Sequence, residues 1–512
     1  MMRRFVLILA TTTLAGCSLA PKYVRPETPV PPSWPVGDAY LRQSEAALPA
    51  ITYAQIFQDP RLQRIIAQAL ANNRDLRVAA ANIEAARAQY RIQRGELFPT
   101  VDASGRYTYS GGGNGTRSVS TGGSDTGTGS GTGTGTGTGG TVVTGSSGSN
   151  NSYSVSLGST AFELDLFGRI RSLTGAALSR YFATEAAARA TRLTMVGDIA
   201  NAWFTYAADR SLLKIAEDTA ASARRSVDLT SRRLRGGIAP RTDLRQAEQV
   251  LATAQSDLAA QKTALAQDVN ALQLLVGAPV DPALLPTSIE TALPTIATLP
   301  AGLDSGILLR RPDVVQAEYE LRATNAEIGA ARAELFPRIS LTGLVGFAST
   351  ALSSLFKDGA FNYSVAPSVS YPIFQAGAGI ANVRYTQAQR DAALATYEKA
   401  IQTAFQETAD ALARQGTLAD QLKANQNFAV AARDTYQLAD MRYRGGVDTF
   451  LNSLDAQRSL YTAQRNLVST QLIGATNRVT LYRVLGGDST LEATANGPQP
   501  VTASGAPRTE TP

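Results

Sequence analysis

The chain is written twice. GELFPTVDASGRYTY at 95–109 returns as AELFPRISLTGLVGF at 333–347, and RLRGGIAPRTDL at 233–244 returns as RYRGGVDTFLNS at 442–453. LQLLVG, ending at Gly277, and LYRVLG, ending at Gly486, close the two copies. A repeat on this scale requires both halves to build the same succession of elements. The spacing is not constant, however. Phe98 and Phe336 lie 238 residues apart, while Gly236 and Gly445 lie 209 apart, so copy one carries extra chain between those landmarks. Phe98 to Phe167 spans 69 residues and Phe336 to Phe374 only 38, which puts the surplus on a Gly/Ser/Thr tract over 111–152. At 126–140 it reads TGTGSGTGTGTGTGG. Such a stretch has no large apolar side chain to offset the entropy of ordering it, and is expected to be a solvated loop. A calcium-binding nonapeptide repeat would need Asp at regular positions, and these are missing.

The elements around the tract read as strands. Val101, Ala103, Gly105, Tyr107 and Tyr109 alternate with polar residues, and in copy two Ile339, Leu341, Val345 and Phe347 alternate with Arg338, Ser340 and Thr342. The same period runs through Tyr153, Val155 and Leu157 and through Phe361, Tyr363, Val365, Val369, Tyr371 and Ile373. Period two with one apolar face marks a strand, and runs of about ten residues match a tilted membrane strand. A soluble half-buried sheet shows the same alternation; tyrosines near the ends of the runs favour the membrane, where they form interfacial girdles. The smallest membrane barrels need about eight strands, and open edges are not tolerated in lipid. Membrane strands here would therefore have to be pooled from several chains.

The rest of the chain is helical in pattern. From 173 to 234 and from 381 to 443 hardly a Gly or Pro occurs, and Ala, Gln, Arg and Glu abound. Uninterrupted helices of that length would span roughly 90 Å at 1.5 Å per residue. Leu244, Leu251, Leu258, Leu265 and Leu272 recur every seventh residue, with Leu460, Leu467 and Leu481 in copy two, which predicts coiled-coil packing. The pairs Gly236–Gly237 and Gly445–Gly446 supply the stop and the turn of a helical hairpin. Each copy thus reads helix, strand, loop, strand, long helix, tight turn, long helix. A globular leucine-heptad bundle would leave the strand pairs unexplained.

Composition narrows the chemistry. The chain contains no His, and Cys17 is its one cysteine, which removes His-based nucleophile pairs, Cys metal clusters and internal disulfides. A net charge of +6 without a Lys/Arg block speaks against nucleic acid as a partner. Arg3 and Arg4 precede the apolar run FVLILATTTLA, too short to anchor in a bilayer, which ends in LAGC at Leu14–Cys17. This resembles the bacterial lipoprotein cleavage signal, implying cleavage before Cys17 and acylation there; an ordinary signal peptide with an incidental cysteine is the plainer alternative. Ser18 follows where an Asp often retains such lipoproteins at the inner membrane, so the resemblance implies the outer membrane.

The duplicated pattern as a whole resembles the outer membrane factor family of TolC- and OprM-like efflux channels, in its lipoprotein branch. The residues that carry the likeness are LAGCSLAPKYVRP at the mature start, ELFP twice, FELDLFGRIR at 162–171, LLRRPDVV at 308–315 and YRGGVDTFLNSLDAQRSLYTAQ at 443–464. The fold it implies is an α+β membrane protein: a homotrimer whose twelve strands, four per chain, close one β-barrel continuous with a long periplasmic coiled-coil barrel. The expected organisation is a signal peptide over 1–16, an acylated Pro-rich tether over 17–56, repeat one over 57–278, an equatorial linker over 279–300, repeat two over 301–488 and a flexible tail over 489–512. Within the repeats, strands are expected near 99–110, 153–166, 338–349 and 361–374, and helical hairpins over 168–277 and 376–486. Short helices near 60–90 and 302–330 would join the linker in an equatorial belt.

The resemblance implies an efflux duct in which no bond is broken, with a periplasmic adaptor and an inner-membrane pump of the resistance-nodulation-division class as partners. Gate and adaptor contact would lie at the hairpin tips, at Gly236, Gly237, Ile238, Arg241 and Asp243 in copy one and at Arg442, Tyr443, Arg444, Gly445, Gly446, Val447 and Asp448 in copy two. Asp448, repeated around a threefold axis, would form a carboxylate ring able to attract cations, or serve only as a helix-start residue. Arg442, Arg444, Arg241 and Asp243 are candidates for gate-closing pairs, and Arg310, Arg311 and Asp313 read as structural. No cofactor or metal is expected beyond the acylglycerol on Cys17 in outer membrane lipid. Two rival functions are a type I protein-secretion channel and, in another class, a periplasmic coiled-coil adaptor or scaffold lipoprotein with a single hairpin.

Overall fold

A computed structural model describes residues 19–31, 33–35, 52–110, 150–297 and 305–501. Cys17 and nearly all of the Gly/Thr tract lie outside the described residues. The chain divides into a strand unit, built from Arg94–Arg171 and Arg332–Ile380, and a helical unit, built from Ala20–Gln93, Ser172–Ala331 and the chain from Ala381 onward.

In the strand unit, β1 (Asp102–Ser110), β2 (Asn150–Glu163), β3 (Arg338–Ser349) and β4 (Phe361–Ser370) form one antiparallel sheet in chain order. The second strand thus begins three residues earlier than the sequence pattern suggests, and β4 ends four residues sooner. Register follows the alternation. Gly105, Val155, Phe347 and Phe361 share one row across the sheet, as do Ala103, Leu157, Val345 and Tyr363. The opposite face is polar, with Ser104 and Ser156 hydroxyls 2.9 Å apart and those of Ser340 and Ser368 2.7 Å apart. A bulge between Ser159 and Phe162 interrupts β2, with Ala161 at a φ of 55°. The apolar face is bare in the single chain: Tyr107, Leu157, Val345, Tyr363, Val365 and Val369 are all exposed. A soluble sheet would bury such a face. Among the described residues β1 and β4 each have one neighbouring strand, so both outer edges offer unpaired backbone groups.

The helical unit contains α1 (Pro60–Asn72) and α2 (Arg74–Gly95). Asp59 caps α1 by accepting the Arg61 amide at 2.8 Å, and Pro60 at the first position suits that start. Leu62, Ile65, Ile66 and Ala69 make its buried stripe at the helical period. Two long helices, α3 (Arg169–Arg235) and, in copy two, α6 (Ala378–Arg444), are 67 residues each, about 100 Å at 1.5 Å per residue. Their hairpin partners, α4 (Arg241–Val276) and α7 (Phe450–Val484), are 36 and 35 residues long. The helix α5 (Pro312–Ala333) occupies in copy two the place of α2. The main core gathers Ile199, Trp203 and Phe204 of α3, Leu272 and Val276 of α4, Val479 and Tyr482 of α7, and the stripe of α1. Arg311 is structural, as its motif suggests: buried, it holds Asp313 at 2.7 Å, Glu407 at 3.0 Å and the Val484 carbonyl at 3.4 Å. Among the described residues no helix is long and apolar enough to cross a membrane.

Heptad leucines and alanines share one seam in each hairpin: Leu251 and Leu258 pack beside Ala220, Ala223 and Ala254 between α3 and α4, and Leu460 and Leu467 pack beside Ala429, Ala432 and Ala463 between α6 and α7. Small side chains among the leucines let the axes approach closely. Two expectations need correction. The N-terminal segment, read as a tether, is extended but fastened: Trp34 stacks on Phe405 of α6 with ring centres 4.9 Å apart, and a one-turn helix forms at Tyr53–Ile56. The start of the C-terminal tail is ordered too. β5 (Leu491–Thr494) and β6 (Gly497–Pro500) form a hairpin whose Leu491 and Ala493 are buried against Val315 and Tyr319 of α5.

Candidate docking site at the hairpin tips

Each hairpin turns through the same backbone device. After α3, the amides of Gly237 and Ile238 donate to the carbonyls of Leu234 and Arg233, both at 3.0 Å; after α6, Gly446 and Val447 donate to Tyr443 and Arg442, also at 3.0 Å. This pair of bonds is the Schellman stop, which needs a left-handed residue after the helix. Gly237 at φ 72° and Gly446 at φ 75° supply it. The preceding glycines, Gly236 and Gly445, have ordinary backbone angles and room for a methyl group. At the apex Ile238 is 76% exposed and Val447 72%, an apolar knob on each tip.

The two tips differ in charge. Asp448 is held by its own hairpin: Oδ1 accepts the Thr449 amide at 2.8 Å and the Asn452 amide nitrogen at 2.6 Å, and Oδ2 accepts Arg442 Nε at 3.1 Å. These donors, led by the Thr449 backbone N–H, keep its carboxyl below the usual carboxylate range. Arg444 pairs with Asp440 at 2.9 Å. Within the chain, then, Arg442 and Arg444 pair locally inside copy two, and among the described residues Arg241 and Asp243 form no ion pair with them or with each other.

At the tips, a bond between the two hairpins comes from a residue outside the predicted set. Arg233, in the last turn of α3, places its guanidinium 4.4 Å from the centre of the Tyr443 ring and donates from Nη2 to the Arg444 carbonyl at 2.9 Å. That carbonyl is one of the orphan acceptors at the end of α6, where a cation is favoured. Tyr443 is 4% exposed and packs on Phe450, Leu454 and Ala247; burial pushes its phenol up. Of the predicted tip residues the structure thus brings Tyr443 and Arg444 of copy two against copy one, while Gly236, Gly237, Ile238, Gly445, Gly446 and Val447 form the two turns.

The model of outer membrane efflux proteins matches residues 65–278 and again 304–487, one match per repeat. The chain belongs to the outer membrane efflux protein family. Its curated relatives include the toluene efflux pump outer membrane protein TtgC of Pseudomonas putida, 43% identical over 490 residues that cover 95% of this chain and 96% of TtgC. Outer membrane protein OprJ of Pseudomonas aeruginosa is 38% identical over 485 residues, covering 94% of this chain and 95% of OprJ. Among solved structures, the open state of the Neisseria gonorrhoeae MtrE outer membrane channel aligns with a TM-score of 0.77 at 34% identity, over 92% of this chain and 98% of that one. The family is one of transport components located in the outer membrane. Among the described residues no group of three or more acidic, His or Cys side chains is placed to hold a metal ion.

Proposed function

We propose that the chain is the outer membrane channel of a tripartite efflux system, carrying small toxic compounds out of the cell without breaking a bond. The observation that carries this reading is the four-stranded sheet with an exposed apolar face and two open edges. Such a sheet is unusable in lipid unless copies join edge to edge. Three copies give twelve strands, the homotrimer that the solved relatives suggest. The exposed Ile238 and Val447 knobs then face the periplasm as the docking points of an adaptor, which connects to an inner-membrane pump of the resistance-nodulation-division class. Acylation at Cys17 would add a lipid anchor beside the barrel.

The name of the toluene efflux relative TtgC favours organic solvents as cargo over secreted protein. Deletion of the gene, followed by growth on toluene, dyes, detergents and antibiotics, tests this. The expected outcome is a loss of tolerance to several compounds, restored by the intact gene. Unchanged tolerance together with loss of a secreted protein would overturn it.

A further inference from the structure

Two distant parts of the chain converge on α5. From the N-terminal side, Tyr23 Oη donates to Glu318 Oε1 at 3.3 Å, and Arg25 grips the same carboxylate with two bonds, Nε to Oε1 at 3.1 Å and Nη2 to Oε2 at 2.8 Å. The strap then lies antiparallel to the helix. Asn325 Nδ2 donates to the Pro21 carbonyl at 2.8 Å, and Ala20 sits against Gly329, where any Cβ would come within 2.6 Å of the Ala20 methyl carbon. From the C-terminal side, Arg322 donates to the carbonyls of Thr494 at 2.9 Å and Ala493 at 3.3 Å, and Tyr319 exchanges two bonds with Thr494, at 2.9 and 3.0 Å. The two sets meet in one ion pair, Arg322 Nη2 to Glu318 Oε1 at 2.7 Å. The Arg322 guanidinium lies between the rings of Tyr23, at 4.8 Å, and Tyr319, at 5.0 Å.

We propose that Glu318 and Arg322 form a single clasp holding both segments, so that docking of the N-terminal strap and of the β5–β6 hairpin reinforce each other. Glu318 is 1% exposed, and a carboxylate so buried needs every donor it has. With Arg25 removed, Arg322 is the remaining guanidinium. Its Nε is buried and donates to nothing, so it can turn to a two-bond grip on Glu318. Doing so withdraws Nη1 and Nη2 from the two hairpin carbonyls. The reverse holds as well: an Arg322 no longer fixed by the hairpin cannot keep Glu318 and the Tyr23 ring in place. Reciprocity of this kind is required of any coupling free energy. The strap leads from the segment that carries Cys17, so the clasp ties attachment at that end to order near residue 494. The coupling itself does not depend on lipidation or on what the channel exports.

Amide hydrogen exchange on the full chain in detergent tests it. Arg25→Ala is expected to speed exchange at 20–25 and, by about tenfold, at 491–497. Tyr319→Phe is expected to do the same in the other direction, loosening 20–25. Trp34→Ala, which removes the Phe405 stacking but leaves the bonds of Tyr23, Arg25 and Arg322 to Glu318 in place, should leave 491–497 unchanged. Arg25→Lys keeps the charge but loses the two-bond grip, and should fall between wild type and Arg25→Ala. Release of the strap in Arg25→Ala with no change at 491–497 would overturn the proposal. So would equal loosening of the hairpin in Trp34→Ala, or no loosening of the strap in Arg25→Ala.

Discussion

Arg233 shows how a duplicated sequence makes one side chain available for a new task. Its twin in copy two, Arg442, is occupied by Asp448, but copy one has Ala239 at the position of Asp448. Arg233 therefore lacks a local carboxylate and reaches across to Tyr443 and the end of α6. A cation over a buried ring together with a hydrogen bond to a helix-end carbonyl is worth on the order of 1–2 kcal/mol. Arg233→Ala is expected to speed amide exchange at 443–447 about tenfold or more, a 1.4 kcal/mol step being one decade. A second residue-scale consequence lies higher in the same hairpin. Asp209 of α3 faces Asp268 of α4, and Asp268 is pushed up to about 7, first by burial and then by the Asp209 charge. A carboxyl whose folded pKa is raised gives its stabilisation in full below the unfolded value, near 4, and loses it as pH rises through about 7. Asp268→Asn removes that dependence. Thermal unfolding in detergent should show the variant more stable than wild type at pH 8, with the difference shrinking toward pH 5.

At the scale of elements, the tips separate glycines that are needed from glycines that are tolerated. Ala at Gly237 or Gly446 forces a side chain into the left-handed region and is expected to cost about 1–2 kcal/mol, whereas Gly236→Ala should be close to neutral. Unfolding midpoints of the three variants decide it. The repeat, the four strands and both hairpins were legible because each rests on a short-range signal: alternation, Gly/Pro-free length, a paired-glycine stop. The equal 67-residue lengths of α3 and α6 follow from the same duplication. What escaped were contacts between parts of the chain far apart in sequence. Nothing local in Tyr23 or Arg25 announces a partner some 295 residues away, so the Pro-rich start read as a tether. Likewise, β5 and β6 are four residues each, too short for an alternation to show. The leucine heptad was legible because its period alone marks the face that packs, and Leu251, Leu258, Leu460 and Leu467 lie in the seams beside the alanines. Of the site, the two turns and their exposed knobs were readable; the Arg233 bond was present in the alignment of Ala239 with Asp448, but only as a missing charge.

At the scale of the whole molecule, the unpaired edges of the sheet decide what the chain can be in a membrane. One chain offers four strands and an exposed apolar face, and a lone set of four cannot satisfy its edges in lipid. In the proposed function, a duct, six tips around one axis and the docking of an adaptor would all depend on how many copies close the ring. If β1 of one copy pairs with β4 of the next, a proline in the middle of either strand removes a ladder bond and should lower the yield of assembled protein. Val365→Pro in β4 is the variant of choice, read out as the fraction that resists dissociation in mild detergent. The most direct measurement is the native mass of the detergent-purified wild-type chain. Three copies per particle is the predicted result, and a stable single-copy particle would contradict the account.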